Sequence, residues 1–225
     1  MGQAGDARLD ALVALVGRAA CVADIGAGDL HLAGRMLDAG AAVRVVAVER
    51  APGAFARARS RAAHDGRIEV RLGDGFAPVR PGEADAAVLA GLGGEAIVRV
   101  LTRAAAADSG AGPASLPARL VLAPTSETHR VREALYRLGY ARTFDRVVAE
   151  GARLRWVVAA ARGREGGAPT PGELEVGGLL CDRRAPLRAA VLQERLTVWR
   201  TQLAGATGER RRHLAAAMAE VEAAL

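Results

Sequence analysis

The stretch Cys21–Leu32 (CVADIGAGDLHL) constrains the fold more than any other part of the chain. Cys21, Val22 and Ala23 are small or apolar. They lead into Asp24, Ile25 and a glycine pair, Gly26 and Gly28, after which an apolar-periodic helix begins. That order describes a buried strand running through a tight turn into a helix N-terminus. Glycines in such a turn allow backbone to approach a ligand where a side chain would block it, and the first helical N–H groups lack intrahelical partners. A dinucleotide fingerprint of this type wants a third glycine three residues after the second, and His31 stands there instead. A strand-end acid followed by Gly-x-Gly also suits S-adenosylmethionine, with the carboxylate on the ligand's ammonium and the glycines against its carboxylate end. A purely structural turn has the same signature.

The pattern then repeats along the chain. A helix over 29–39 ends at Gly40, and the apolar run Val43–Val48 ends in Glu49, where a βαβ nucleotide site places an acid on ribose hydroxyls. An ordinary surface glutamate at a strand end is the alternative. Pro52 opens the next helix, and Ile68–Leu72 forms a strand entering Gly73-Asp74-Gly75-Phe76. Asp74 could accept from an adenine amino group with Phe76 over the ring, although Asp-Gly is also a common turn. Ala84–Ala90 enters a second glycine-rich junction, Gly91-Leu92-Gly93-Gly94, before a helix over 95–105. In a parallel sheet both junctions fall at the carboxyl edge, where ligands sit. Asp108–Pro117 is a loop, Leu120–Ala123 a fifth strand and Glu127–Leu138 a helix closed by Gly139. Tyr140–Ala149 and Leu154–Ala160 flank Glu150-Gly151-Ala152 as an antiparallel hairpin. Alternating strands and helices with a terminal hairpin predict an α/β fold with a Rossmann-like class I methyltransferase sheet, not a dehydrogenase.

Beyond a hinge-like stretch, Arg162–Gly172, the spacing changes. Leu192, Leu196, Trp199 and Leu203, then Leu214, Met218, Val221 and Leu225, mark two amphipathic helices joined by a break containing Gly205 and Gly208. The expected organisation is a domain over 1–162 and a helical hairpin with its linker over 163–225. Net charge is +6, and every cation is arginine. Genomic composition bias is a plainer reading of the missing lysine than any functional reason, but the charge still favours polyanions. Arg183, Arg184, Arg188, Arg200 and Arg210–Arg212 concentrate it on the helical appendage, which predicts phosphate contact. Cys21 and Cys181 lack metal-ligand spacing and read as buried thiols in a reducing compartment. Asp6–Gly17 reads as an amphipathic helix in place of a signal peptide, and no run is long enough to span a membrane. A cytoplasmic monomer without a metal is expected.

Taken in order, VADIGAGDLHLAG, RIEVRLGDGF, ADAAVLAGLGGEAI, LVLAPTSETHRVREAL and the closing GY…RTFDRVVAEGARLRWVVAAA resemble the successive motifs of TrmK-type bacterial tRNA (adenine-22-N1)-methyltransferases. The resemblance spans nearly the whole chain, including the charged helical appendage. It implies an S-adenosylmethionine domain and a C-terminal helical domain that helps grip tRNA. Carried over by motif, Asp24, Gly26, Gly28, Glu49, Asp74, Gly75, Gly91, Gly93 and Gly94 would hold the cofactor. Two stretches depart from the pattern. After Asp-Ile-Gly the family has Ser-Asp-His-Ala-Tyr-Leu-Pro, where this chain has Ala27-Gly28-Asp29-Leu30-His31-Leu32-Ala33. Its Gln-Pro-Asn is Ala123-Pro124-Thr125 here. Asp29, then His31, are the candidates for stabilising charge on an adenine acceptor, with Asp29 alternatively a plain helix N-terminal acid. Methylation of another RNA or a small molecule, a catalytically silent RNA binder, and NAD-dependent oxidoreduction are the competing functions.

Overall fold

The computed structural model describes residues 7–107, 116–151 and 153–225. Five strands run parallel: β1 (Ala19–Ile25), β2 (Ala42–Glu49), β3 (Ile68–Leu72), β4 (Ala86–Ala90) and β5 (Arg119–Ala123). An antiparallel hairpin, β6 (Tyr140–Glu150) and β7 (Arg153–Arg162), completes one sheet ordered β3-β2-β1-β4-β5-β7-β6. Most of the expected loop Asp108–Pro117, and Ala152 of the hairpin turn, lie outside the described residues. The predicted α/β architecture is therefore the observed one. Strands β1, β2, β4 and β5 are near-continuous apolar runs because helices cover both of their faces.

Helices α1 (Ala7–Val16), α2 (His31–Asp38) and α3 (Pro52–Arg61) lie on one face, where Leu12, Val16, Leu32 and Met36 pack on Val22, Val45 and Val88. On the other face, α4 (Gly94–Ala107) and α5 (Thr128–Arg137) set Ile97, Leu101, Val131 and Leu135 against Ile25, Val48, Leu89 and Leu122. The helix predicted from Asp29 begins at His31, because Leu30 takes a left-handed conformation (φ 63°). That conformation is costly for a branched side chain. Burial of Leu30 in the core offsets it.

The C-terminal helices follow the predicted spacing and are longer than "hairpin" suggests: α7 (Arg188–Gly205) and α8 (Gly208–Ala224) after a short α6 (Pro171–Val176). Leu192, Leu196, Trp199, Leu214 and Val221 are buried, and Leu203 and Met218 are partly so. Leu225, the last residue of the series, is exposed. The hinge-like stretch ends earlier than its composition suggests. Thr170 and Glu173 form a reciprocal capping box that starts α6, with Pro171 at its first position. This third core is shared with the sheet, because Val147 of β6 and Trp156 of β7 belong to it. Cys21 is buried as expected, whereas Cys181 is exposed, since the turn that carries it lies outside all three cores.

Candidate functional site

The order in which the chain adds its strands reverses between β1 and β4, parallel neighbours that flank the crevice at the carboxyl edge. The turn after β1 is pinned to the neighbouring strand, with Gly26 and Ala27 donating their N–H groups to Val48 O at 2.8 and 3.3 Å. The turn after β4 is zipped to the one after β5. Gly91 N–H donates to Ala123 O at 3.2 Å, Thr125 N–H to Leu92 O at 2.9 Å, and Gly94 N–H to Ser126 O at 3.0 Å. Leu92 joins the two glycine turns, since a Cβ on Gly26 would lie 3.4 Å from its side chain. Gly26, Gly28 and Gly91 all have positive φ. A Cβ on Gly28 or Gly91 would meet nothing within 4 Å, so both open onto free space.

Two acids converge beneath these turns. Glu49, buried at the end of β2, accepts the Gly28 N–H. Asp24, buried in β1, has an Oδ2 with no hydrogen-bond partner among the described residues. An orphaned buried carboxylate oxygen is costly unless a partner arrives. Burial, with the Glu49 carboxylate adding to it, pushes the Asp24 carboxyl from 3.8 up to about 7. An ammonium group entering over Gly28 and Gly91 would supply the missing charge and donor.

The remaining predicted residues divide by what they touch. Asp74 is paired with Arg103 of α4 at the mouth of a mostly apolar cavity of about 280 Å³, and Phe76 is buried in the core. Phe76 is thus a packing residue in this conformation, not a lid. Gly75 is needed for packing, since its Cβ would lie 2.9 Å from Val100. Gly93 stands at the loop surface, where a Cβ would lie 3.3 Å from Ser126 Oγ. A Cβ on Gly94 would sit 2.5 and 2.6 Å from the carbonyl oxygens of Ser126 and Glu127. Gly94→Ala is therefore expected to force the two turns apart and cost ~1–3 kcal/mol, read from the midpoint of urea denaturation.

Asp29 and His31 both lie at the surface. Asp29 is half-exposed and pairs with Arg61 of α3 at 2.6 Å, on the side of β2 and β3. His31 is exposed at the start of α2. The Arg61 partner lies 32 residues away in sequence, beyond the span of any local motif around Asp29.

A doubly wound sheet with a crevice at its reversal, two joined glycine turns and a buried acid defines the class of α/β proteins that bind a nucleotide-like ligand at the strand ends. Within that class the chain belongs to the methyltransferase domain family, whose profile matches residues 6–158. It is 28% identical over 193 residues to the tRNA (adenine(22)-N(1))-methyltransferase of Bacillus subtilis (strain 168), covering 84% of this chain and 79% of that protein. The crystal structure of the B. subtilis M1A22 tRNA methyltransferase TrmK superposes with a TM-score of 0.81 at 24% identity, covering 96% of this chain and 97% of that one. Streptococcus pneumoniae Sp1610, solved in complex with S-adenosyl-L-methionine, gives 0.79 at 20% identity, with 97% and 98% covered. Both structural matches extend through the C-terminal helices.

Proposed function

We propose that this protein is an S-adenosylmethionine-dependent methyltransferase that methylates N1 of adenine 22 in tRNA. The observation that carries the proposal is the unpartnered Asp24 carboxylate beneath two open glycines, in a chain of the methyltransferase family. Similarity to the B. subtilis enzyme over both the sheet and the appendage supports the choice of substrate. In this reading residues 1–162 form the methyl-transfer domain and 163–225 the RNA-gripping one, acting as a cytoplasmic monomer. Among the described residues no helix is long and apolar enough to cross a membrane.

When bound, S-adenosylmethionine supplies a methyl group on a positively charged sulfur, open to in-line attack by the neutral N1 lone pair. Asp24 would hold the ligand's ammonium and Glu49 its ribose hydroxyls, with Glu49 exchanging the Gly28 N–H for them. Gly26, Gly28, Gly91 and Gly93 would let backbone close over the ligand. Gly94 and Gly75 would act by holding the loops in place, and Asp74 would turn from Arg103 to the adenine amino group. The chain's contribution is orientation and exclusion of water, together with stabilising charge as it arrives on the target base. For Asp29 to reach that base, the Asp29–Arg61 pair must open. Asp29→Ala is expected to leave cofactor affinity unchanged and to lower kcat only if that opening occurs, as single-turnover kinetics would report.

Incubating the purified protein with labelled methyl donor and unmodified total tRNA, then mapping the label, tests the assignment. Label is expected as 1-methyladenosine at position 22. The altered stretch Ala123-Pro124-Thr125 favours a second reading, another RNA acceptor, which label on a different base would establish.

A further inference from the structure

A polar cleft of about 280 Å³ opens where the turn after β5 meets the hairpin and the C-terminal helices. One wall is Thr125, Ser126 and Glu127, the segment hydrogen-bonded to the Leu92–Gly94 turn of the candidate cofactor site. Three guanidinium groups from three different elements line the rest: Arg155 of β7, Arg195 of α7 and Arg210 of α8. The acids around the cleft are already engaged. Glu175 is buried and takes Arg210 at 2.9 Å and His213 at 3.1 Å, while Glu127 takes Arg130 at 3.3 Å and Glu150 takes Arg155 at 3.1 Å. Arg195 is different. Among the described residues its side chain has no hydrogen bond or ion pair, although it is only partly exposed.

We propose that this cleft receives a backbone phosphate of the acceptor RNA next to the methylated nucleotide, with Arg195 as the principal positioning residue. The inference rests on the function proposed above and locates its RNA contact close to the sheet edge. An unpaired, part-buried guanidinium retains its donors for a phosphate and loses little further freedom on binding one. Arg155 and Arg210 each share only part of their fork with a carboxylate, so both keep N–H groups for the same anion. The placement also separates roles among the arginines of the appendage. Arg188 is spent on the carbonyls of Leu179 and Ala224, and Arg211 on Leu203 O, while Arg200 pairs with Glu222. Three of the appendage's arginines are thus committed within the fold, whereas those of the cleft face the turn that adjoins the candidate cofactor site.

Trp156 and Trp199 are the only tryptophans, and both line the cleft, which provides a local reporter. The test titrates an unmodified tRNA transcript into the parent protein, Arg195→Gln and Arg195→Lys, following tryptophan emission and bound fraction over a range of salt. Methylation is followed in parallel. Arg195→Gln is expected to bind about 10-fold more weakly, with the slope of log K against log salt reduced by about one contact. It should keep its melting temperature and cofactor affinity while KM for tRNA rises, and Arg195→Lys should recover most of the loss. Equal affinity and slope for Arg195→Gln and parent would overturn the proposal. Methylation of tRNA with an indifferent Arg195 rejects the cleft alone. An Arg195-dependent complex without methyl transfer keeps the cleft and rejects the enzyme assignment. A parent that binds no tRNA rejects both.

Discussion

Asp24→Asn is expected to bind S-adenosylmethionine at least ~100-fold more weakly than the parent while melting at a higher temperature at pH 8. The two effects have one cause. In the ligand-free protein the Asp24 carboxyl is buried, has an oxygen without a partner and lies beside Glu49, so it resists ionisation up to about pH 7. Between 3.8 and about 7 the folded chain holds a proton that the unfolded chain has released. Stability contributed by this group is therefore fully present below 3.8, falls as pH rises through that window and levels off above it. The interval corresponds to at most ~4 kcal/mol. A neutral amide avoids that loss, so the advantage of the variant should grow from pH 4 to 7 and then stay constant. Removing the charge also removes the counterion for the ligand's ammonium, and charge-assisted hydrogen bonds are the strong ones. Differential scanning calorimetry across pH and isothermal titration with the cofactor measure the two halves. A variant that melts no higher at pH 8 than its parent would show that Asp24 is not a strained carboxylate, and the argument for the cofactor site would lose its main support.

Arg132→Ala is expected to destabilise the folded chain by ~3–5 kcal/mol and to expose the C-terminal helices to proteolysis. Arg132 is fully buried and forms a two-pronged pair with Asp145, Nε to Oδ2 at 2.8 Å and Nη2 to Oδ1 at 2.9 Å. Its third nitrogen donates to Leu174 O and Glu175 O in α6 at 2.8 and 2.9 Å, and its guanidinium lies 4.2 Å from the centroid of the Trp156 ring. One side chain thus joins α5, the hairpin and the start of the appendage. Its removal leaves Asp145 in the interior with only Arg142 among the described residues, 3.1 Å away, and strands the α6 carbonyls. Gly177 shares in the arrangement, since a Cβ there would lie 2.2 Å from Asp145 Oδ2. Limited proteolysis alongside urea denaturation separates loss of docking from global unfolding. If cleavage beyond residue 163 is unchanged in the variant, the pair does not hold the appendage.

Much of the core could be read directly from the chain because its signals are local. Glycine at a strand end and apolar runs of five to eight residues each state their structure over a few positions. The four-three-four spacing that buries Leu192, Leu196 and Trp199 does the same for the appendage. The interactions that set the chemistry are not local. Nothing near Asp29 announces Arg61, and nothing in the hinge-like composition before Pro171 announces that Arg132 closes over Leu174 and Glu175. With every one of 31 cations an arginine, residue type could not separate those that pair internally, such as Arg188, from one that stays unpaired in a cleft, such as Arg195.

The sequence by itself determined the alternation of buried strands and amphipathic helices, the glycine turns and the acids at 24, 49 and 74, because backbone conformation and hydrophobic burial follow short-range pattern. Only the tertiary structure decided which carboxylate stays without a partner and which arginines remain available for a ligand. Ion pairing and desolvation depend on distances of a few ångströms between side chains from separate elements, and those distances exist only once the sheet, hairpin and C-terminal helices have packed.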